Sequence, residues 1–365
     1  YPLRRQRQMC IRDRNTTISG ALTGNGTLNY RGTSTAHRTD LSGNNSSFTG
    51  TVNLDGTSGN RNLRLINANA GSASATWAVS ANNTLQADGV AVNLGTLNGA
   101  GSVTNSHASN AATITIGAGS FSGVISNGTP ANGMALTKNT TGTLALTGAN
   151  TYSGLTNVAA GTLTTTTAQT GAGAVTVSDS GTFAVSQLGN GATFNTSALT
   201  LGSSGGATLV LTPAASPSVP LVTATTLDIN GPTTLRLTGV PVAGTTLIGY
   251  SGIGGTSGFS GLNLVMPFRV NGSLTDTGAG IVLTSVSDDT PKWSNGDGVW
   301  DINTSANWKT SSSSTATNYL EGGAGATDSV IFDDSSSGTS PITVTLNSTV
   351  SPCLLYTSPS PRDRG

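Results

Sequence analysis

Charge is scarce in this chain: charged side chains make up 9% of its 365 residues, against about a quarter in typical globular domains. Strong helix formers are scarce as well, because Glu321 is the only glutamate and Lys138, Lys292 and Lys309 are the only lysines. Glycine contributes 49 residues, and glycine weakens the interior of a helix. This composition argues against a helical architecture and favours an all-β chain.

Disorder is the rival interpretation of a sequence rich in glycine, serine and threonine. Disordered segments are usually rich in charge and poor in β-branched residues, whereas this chain repeatedly forms β-branched runs such as residues 112–116. An ordered β-structure is therefore predicted. No apolar run reaches the length of about 18 residues that a membrane-spanning helix requires, so no such helix is predicted.

Cysteine occurs only at Cys10 and Cys353, inside two terminal segments whose composition differs from that of the interior. Residues 1–14 and 353–365 resemble translated sequencing-adapter sequence, and we interpret both as disordered scars that flank a fragment of a longer protein. Neither a disulfide nor a reactive thiol is then expected. The interior carries nine basic and fourteen acidic side chains, and this balance argues against nucleic-acid binding.

Short β-patterns punctuated by turn residues run along the interior. Residues 143–147 alternate polar and apolar side chains, which is the period-2 signature of a half-buried strand. Clusters of Gly, Asn, Ser and Asp separate one such run from the next. Further strands are predicted at residues 93–97, 112–116, 174–177, 208–211, 221–227, 233–237, 245–248, 262–268, 281–286 and 342–346.

Weak internal repetition accompanies these strands. Residues 41–50 and 146–154 share a leucine, a glycine, an asparagine and an aromatic residue in the same order, and residues 119–125 give a shorter echo. Strands too short to bury a core alone must stack on their neighbours. The fold predicted for residues 15–287 is a right-handed parallel β-helix, or solenoid, with coils of about 20–25 residues. Tandem β-sandwiches are the alternative.

The segment 136–163 carries the most specific pattern. Besides Leu136-Thr137-Lys138, its matching residues are Gly142, Leu144, Leu146, Gly148, Asn150, Tyr152, Gly154, Val158, Gly161 and Leu163. The segment closely resembles the autotransporter-associated β-strand repeat, also called the passenger-associated transport repeat, of bacterial surface proteins. The period-2 pattern directs Leu144, Leu146, Val158 and Leu163 into the core and leaves Tyr152 at the turn between two strands.

This resemblance implies a passenger-type β-solenoid at the bacterial cell surface, in association with the outer membrane, or secreted. It implies a structural or adhesive role without catalysis. Surface glycans or other cells are the implied partners. Membrane contact is expected only through regions of the parent protein outside this fragment.

Residues 288–352 begin with a change of composition. Residues 288–291 predict a linker, and Trp293, Trp300 and Trp308 follow within sixteen residues. This frame resembles the unit that opens a new section in multi-section bacterial β-strand-repeat surface proteins, which implies a second section of β-repeats. If exposed, the three tryptophans form a platform for sugar rings; if buried, they cap a hydrophobic core.

Signals for catalysis and metal binding are weak. His37 and His107 lack motif-spaced acidic partners, and the neighbours in the doublets 288–289 and 333–334 point to opposite faces of a strand. Oxygen ligands suited to calcium occur at Asn295, Asp297, Asp301 and Asn303. Residues 322–328 approach a calcium nonapeptide but have one residue too many. Ordinary Asx turns explain these residues better. No enzyme activity and no cofactor are predicted; a β-helical carbohydrate-active enzyme and a glycan-binding module are the alternatives.

Overall fold

The computed structural model describes residues 15–31, 38–56, 61–128, 133–239, 242–321 and 327–357. Regular structure within these ranges is β-strand, apart from a single 3-10 turn at Gly258–Gly261. None of the described residues forms a helix long and apolar enough to cross a membrane. The predicted all-β class is confirmed.

The strands are short and follow one another at close intervals. In chain order, the first part of the chain contains β1 Thr16–Ile18, β2 Thr27–Tyr30, β3 Arg38–Leu41, β4 Thr51–Leu54, β5 Arg61–Leu65, β6 Ser72–Val79, β7 Asn83–Ala87, β8 Ala91–Gly99, β9 Ser102–Asn105, β10 Ala112–Phe121, β11 Val124–Ser126, β12 Met134–Lys138, β13 Thr143–Leu146, β14 Thr156–Val158, β15 Thr162–Thr166, β16 Val175–Val177, β17 Thr182–Ser186, β18 Phe194–Leu201, β19 Thr208–Thr212, β20 Val222–Ile229, β21 Thr233–Leu237 and β22 Thr245–Gly254. The remaining strands are β23 Leu262–Val265, β24 Val270–Asp276, β25 Gly280–Asp288, β26 Pro291–Trp293, β27 Gly298–Trp300, β28 Trp308–Thr310, β29 Ala316–Thr317, β30 Val330–Phe332, β31 Val344–Leu346 and β32 Leu355–Thr357.

The chain divides into two compact units. The main segment of the first unit ends at Arg236 and is joined by residues 245–263 and 276–282; the second unit takes residues 237–244, 264–275 and those from 283 onward. Each unit has a core of its own, and each is described by itself below.

Parallel pairing between successive coils builds the first unit. Strands β1, β3, β5, β7, β9 and β11 form one parallel sheet, in which Thr39 lies between Thr16 and Leu63. The other faces stack in the same way; for example, Phe183 lies between Leu163 and Leu209. Stacked parallel coils define a β-solenoid, so that prediction is confirmed. The sandwich alternative is wrong, because the sheets of a sandwich are antiparallel.

Alternation of side chains places the core inside the coils. In β19 the leucines at 209 and 211 are fully buried while the threonines at 208 and 212 face outward. The same alternation holds in β15 and β17. Burying one Leu, Val or Phe side chain stabilises the fold by about 1.5–3 kcal/mol, so each coil depends on the apolar face of its neighbours.

The second unit mixes parallel and antiparallel pairs. Strand β26 pairs antiparallel with β28 and parallel with β30, and β27 pairs with β31. Strand β30 also pairs with β32, where Ile331 lies opposite Tyr356.

This last pairing corrects one expectation. Disorder from residue 353 onward is wrong for residues 353–357, because Leu355–Thr357 form β32 on the free edge of β30. An unpaired strand edge accepts a further chain of suitable β-propensity. Leu355 and Tyr356 stay more than half exposed, so the pairing rests on backbone hydrogen bonds. Residues 1–14 and 358–365 lie outside the described residues.

Candidate functional site

Residues 136–164 stack on themselves. Strand β12 lies beside β14, with Leu136 opposite Thr156, and β13 lies beside β15, with Leu144 opposite Leu163. The side chains that the period-2 pattern directs inward are all buried: Leu144, Leu146, Val158 and Leu163. Two successive turns of the solenoid are therefore held together inside one short segment.

Asn150 ties this segment to the preceding coil. Its side chain is fully buried, its Oδ1 accepts the N–H of Ile125 at 2.8 Å, and its Nδ2 donates to the carbonyl of Gly148 at 3.1 Å. A buried peptide N–H left without a partner costs about 1–3 kcal/mol. Asn45 has the same role in the related segment 41–50, which we call the echo, where its Oδ1 accepts the N–H of Leu22 at 2.7 Å. The asparagine of the motif thus fixes the register between coils.

Gly148 allows two coils to approach closely. A Cβ atom at this position would lie 1.8 Å from the carbonyl oxygen of Gly123, a distance that no side chain tolerates. Gly43 has the equivalent position in the echo, where a Cβ would lie 2.2 Å from the carbonyl oxygen of Gly20. The glycine two residues after the leucine is therefore required in both segments for the coils to stack.

Tyr152 fills the corner between β13 and β14. Its ring is buried, and its hydroxyl lies 2.9 Å from Thr156 Oγ1. Phe48 occupies the same place in the echo and is also buried. Burial raises the pKa of Tyr152 to about 12, and the hydrogen bond with Thr156 opposes this shift only in part.

Replacing Tyr152 by phenylalanine should lower the free energy of unfolding at neutral pH by about 1 kcal/mol, the net value of one hydrogen bond. The raised pKa of Tyr152 also predicts that the stability difference between wild type and variant depends on pH. The unfolded tyrosine ionises near pH 10, so the wild type loses stability as the pH rises from about 10 to about 12. The variant lacks this contribution, and its deficit should shrink over that range. Urea unfolding at pH 7 and at pH 11 measures both effects; an unchanged deficit would contradict the buried hydroxyl.

Lys138 is a buried cation that bonds to backbone oxygens. Its Nζ donates to the carbonyl of Ala160 at 3.0 Å and also to the carbonyl of Thr140. Burial lowers the pKa of this ammonium group. Lys138 therefore links the turn after β12 to the turn before β15, which adds a polar tie to the apolar stacking of the segment.

Comparison with known families agrees with this geometry. Residues 136–164 match the family described as passenger-associated-transport-repeat. The segment is a passenger-associated transport repeat. No curated protein matches the chain. The repeat and the β-solenoid together fit an autotransporter passenger protein, and the association of this family with such passengers implies a secreted or cell-surface protein.

The Gly-Thr-Leu triplets of the passenger-associated transport repeat continue as one column through the first unit. In this threonine column a threonine faces outward in nine of ten successive coils, and Ala118 stands in the tenth. The nine are Thr27, Thr51, Thr76, Thr96, Thr143, Thr162, Thr182, Thr208 and Thr234. The predicted strands and repeats do not include this column, although a small-Thr-apolar triplet marks it in the sequence at intervals of 19–26 residues. Unequal coil lengths hid the period.

The residues considered for catalysis that the structure describes, His107 and Asp333, each have a partner close by. His107 Nδ1 accepts the N–H groups of Ser109 at 3.1 Å and Asn110 at 2.9 Å, so the ring caps a turn. Asp333 pairs with Lys292 at 3.5 Å. His37 lies outside the described residues. Within the described ranges, no group of three or more His, Cys, Asp or Glu side chains is placed to hold a metal ion.

One charged ladder crosses the face of the first unit. The Arg64 guanidinium bonds to both oxygens of Asp40, at 2.9 and 2.8 Å, and to Asp88 at 3.1 Å. The hydrogen bond with Asp40 is the main cause of the raised pKa of Arg64. A pair of catalytic carboxylates needs substrate between its members, whereas here the guanidinium occupies that space.

Three of the four calcium candidates already accept hydrogen bonds from neighbouring residues. The Asp301 carboxylate accepts the N–H and the hydroxyl of Ser305 at 2.8 and 2.7 Å, which lowers the pKa of Asp301. Asp297 Oδ1 accepts the N–H of Thr343 at 2.7 Å. The side-chain oxygen of Asn303 also accepts a hydrogen bond, while the Asn295 amide donates one. Residues 322–326 of the near-nonapeptide lie outside the described residues. Both bonds at Asp301 come from Ser305, four residues along the chain, whereas an Asx turn uses the backbone two residues on; Asp301 therefore caps a longer turn than expected.

The tryptophan platform is wrong. Trp293 and Trp308 are each 1% exposed and Trp300 is 7% exposed, so no flat ring face is available to a sugar. The rings of Trp293 and Trp308 meet edge to face at a centroid distance of 5.0 Å, and those of Trp300 and Trp308 at 5.2 Å. With Tyr319 and Val330 they form the core of the second unit, because large aromatic surfaces gain most by burying one another.

Proposed function

We propose that this chain is the non-catalytic passenger of a bacterial autotransporter-like protein and that it mediates adhesion at the cell surface or after secretion. The observation that carries the proposal is the recurrence of one stacking scheme. The asparagine tie, the close glycine contact and the buried aromatic of residues 146–154 recur in residues 41–50. Such a scheme extends a surface rather than enclosing a single cleft.

The outward side chains of the first unit suit adhesion. The threonine column presents the same hydroxyl from coil to coil, and Asn29 and Asn53 continue this polar surface beside it. Repeated weak contacts add up when both partners are multivalent, so individually weak sites give strong attachment between surfaces.

The adhesive role can be tested with beads that carry the whole chain. Attachment of these beads to bacterial and animal cells should exceed that of albumin-coated beads, and incubation with soluble polysaccharides should release neither reducing ends nor unsaturated sugars. Failure to attach would contradict adhesion. Release of sugar products that Asp40→Asn abolishes would contradict the non-catalytic assignment and favour a carbohydrate-active enzyme built on the charged ladder.

A further inference from the structure

We propose that a groove on the outer face of the first unit binds an uncharged oligosaccharide. The inference rests on the proposed adhesive function and assigns it a site. The groove crosses β5, β7, β9 and β11 and has a volume of about 550 Å³, within the range of ligand sites in proteins. We call it the polar groove and define its floor by Asn62, Thr84, Gln86, Thr104 and Ser126.

The register of the sheet arranges the floor in two rows. Gln86, Thr104 and Ser126 follow one another across neighbouring strands, and Asn62 lies beside Thr84 in the adjacent row. Neighbouring strands are about 4.8 Å apart, which is close to the length of one sugar ring. A linear oligosaccharide laid across the strands therefore meets a fresh amide or hydroxyl group at each sugar.

These five side chains are available to a ligand. All are half-buried, and within the described residues none of their side-chain groups makes a hydrogen bond. Half-buried amides and hydroxyls gain from a partner that can both donate and accept, which is the property of sugar hydroxyls. Asn127, which lines the polar groove beside its floor, is held in place by hydrogen bonds. Its Oδ1 accepts the N–H groups of Met134 and Ser153, each at 3.0 Å.

The charges around the polar groove select for a neutral occupant. Among the described residues, the lining carries amide and hydroxyl groups and no charged side chain. The charged ladder adjoins the lining at Ser106, whose hydroxyl donates to Asp88 at 3.0 Å, and Asp88 also pairs with Arg64. Asp40 pairs with Arg64 and Arg38, so two carboxylates face two guanidinium groups. An acidic glycan would find no surplus of positive charge here.

The backbone of the sheet argues against a peptide. Strands β5, β7 and β9 are paired on both sides. Strand β11 is the last strand of the sheet, but its outer edge is engaged at Ile125, whose N–H donates to Asn150 Oδ1 at 2.8 Å and whose carbonyl accepts the N–H of Thr151 at 2.9 Å. An extended peptide therefore finds no open edge at the floor on which to add a strand. Recognition must come from side chains. Because no aromatic ring belongs to the part of the lining that the structure describes, single-site binding should be weak and should need multivalent display.

The test uses the full chain with Cys10→Ser, biotinylated at the exposed Cys353 and assembled on streptavidin. The probes are immobilised neutral hexose oligomers, sialylated oligosaccharides and sulfated oligosaccharides. The variant Gln86→Ala/Thr104→Ala removes two groups from the floor. The matched control is Thr176→Ala/Thr200→Ala, a neighbouring outward pair on β16 and β18 away from the polar groove.

We expect binding to at least one neutral oligomer, a loss of about tenfold or more in the groove variant and a loss below about twofold in the control. Circular dichroism checks that both variants fold. Equal loss in variant and control, salt-sensitive binding to acidic probes alone, or binding to no probe would each overturn the proposal. If bead attachment to cells persists while all neutral probes fail, the groove inference falls and the adhesive function stands; loss of both would remove both.

Discussion

Replacing Trp308 by alanine is expected to destabilise the second unit by about 3–5 kcal/mol, the usual cost of truncating a buried aromatic side chain. Trp308 is 1% exposed and meets Trp293, Trp300 and Phe332 edge to face. Its removal opens a cavity at the centre of the only aromatic cluster seen in the described part of this unit. Urea unfolding followed by near-ultraviolet circular dichroism measures the loss.

Two controls sharpen this experiment. Trp308→Phe keeps part of the ring volume and should cost less than the alanine variant. The second control follows the first unit by itself: in a variant that lacks the other tryptophans, the fluorescence comes from Trp77, which is buried in the first unit. A loss below about 1 kcal/mol for Trp308→Ala, which is ordinary for a surface site, would contradict the packed cluster.

Truncating Leu146 to alanine should lower the free energy of unfolding of the first unit by about 2–5 kcal/mol. Leu146 is fully buried at the end of β13, where it lies opposite Phe121. In a stack of coils each turn contacts only its neighbours, so the damage should centre on the matched repeat and spread to the coils beside it. Denaturation with hydrogen exchange locates the loss.

The matched control is Thr143→Ala on the same strand, where the side chain is exposed. It should change stability by no more than about 0.5 kcal/mol. If Leu146→Ala cost as little as the control, the assignment of inward and outward positions in this repeat would be out of register.

Local patterns of the sequence predict the parts of the fold that depend on local chemistry. Alternation in β13 is visible in residues 143–147 because a strand exposes every second side chain. The place of Tyr152 follows from its position between two runs. The partner of Asn150 does not follow in this way. The N–H of Ile125 is brought to it by the length of the intervening coil, and that length varies along the chain.

Contacts distant in sequence account for what the patterns left open. The tryptophans are buried because Tyr319 and Val330, later in the chain, close the cluster. Strand β32 forms because β30 leaves an edge free. The polar groove needs four coils in register before its floor exists, and none of the five floor residues belongs to a motif. Neutral side chains spaced by whole coils leave no signature in a single sequence.

Distances along the threonine column test the solenoid most directly. Spin labels on cysteines at positions 96 and 182 span four coils, and labels at 51 and 182 span six. In a background with Cys10→Ser and Cys353→Ser, double electron–electron resonance measures the distance between the two labels. The corresponding backbone separations should be about 19 Å and about 29 Å, since each coil adds about 4.8 Å. Separations that do not grow in proportion to the number of coils would contradict the stacked parallel solenoid.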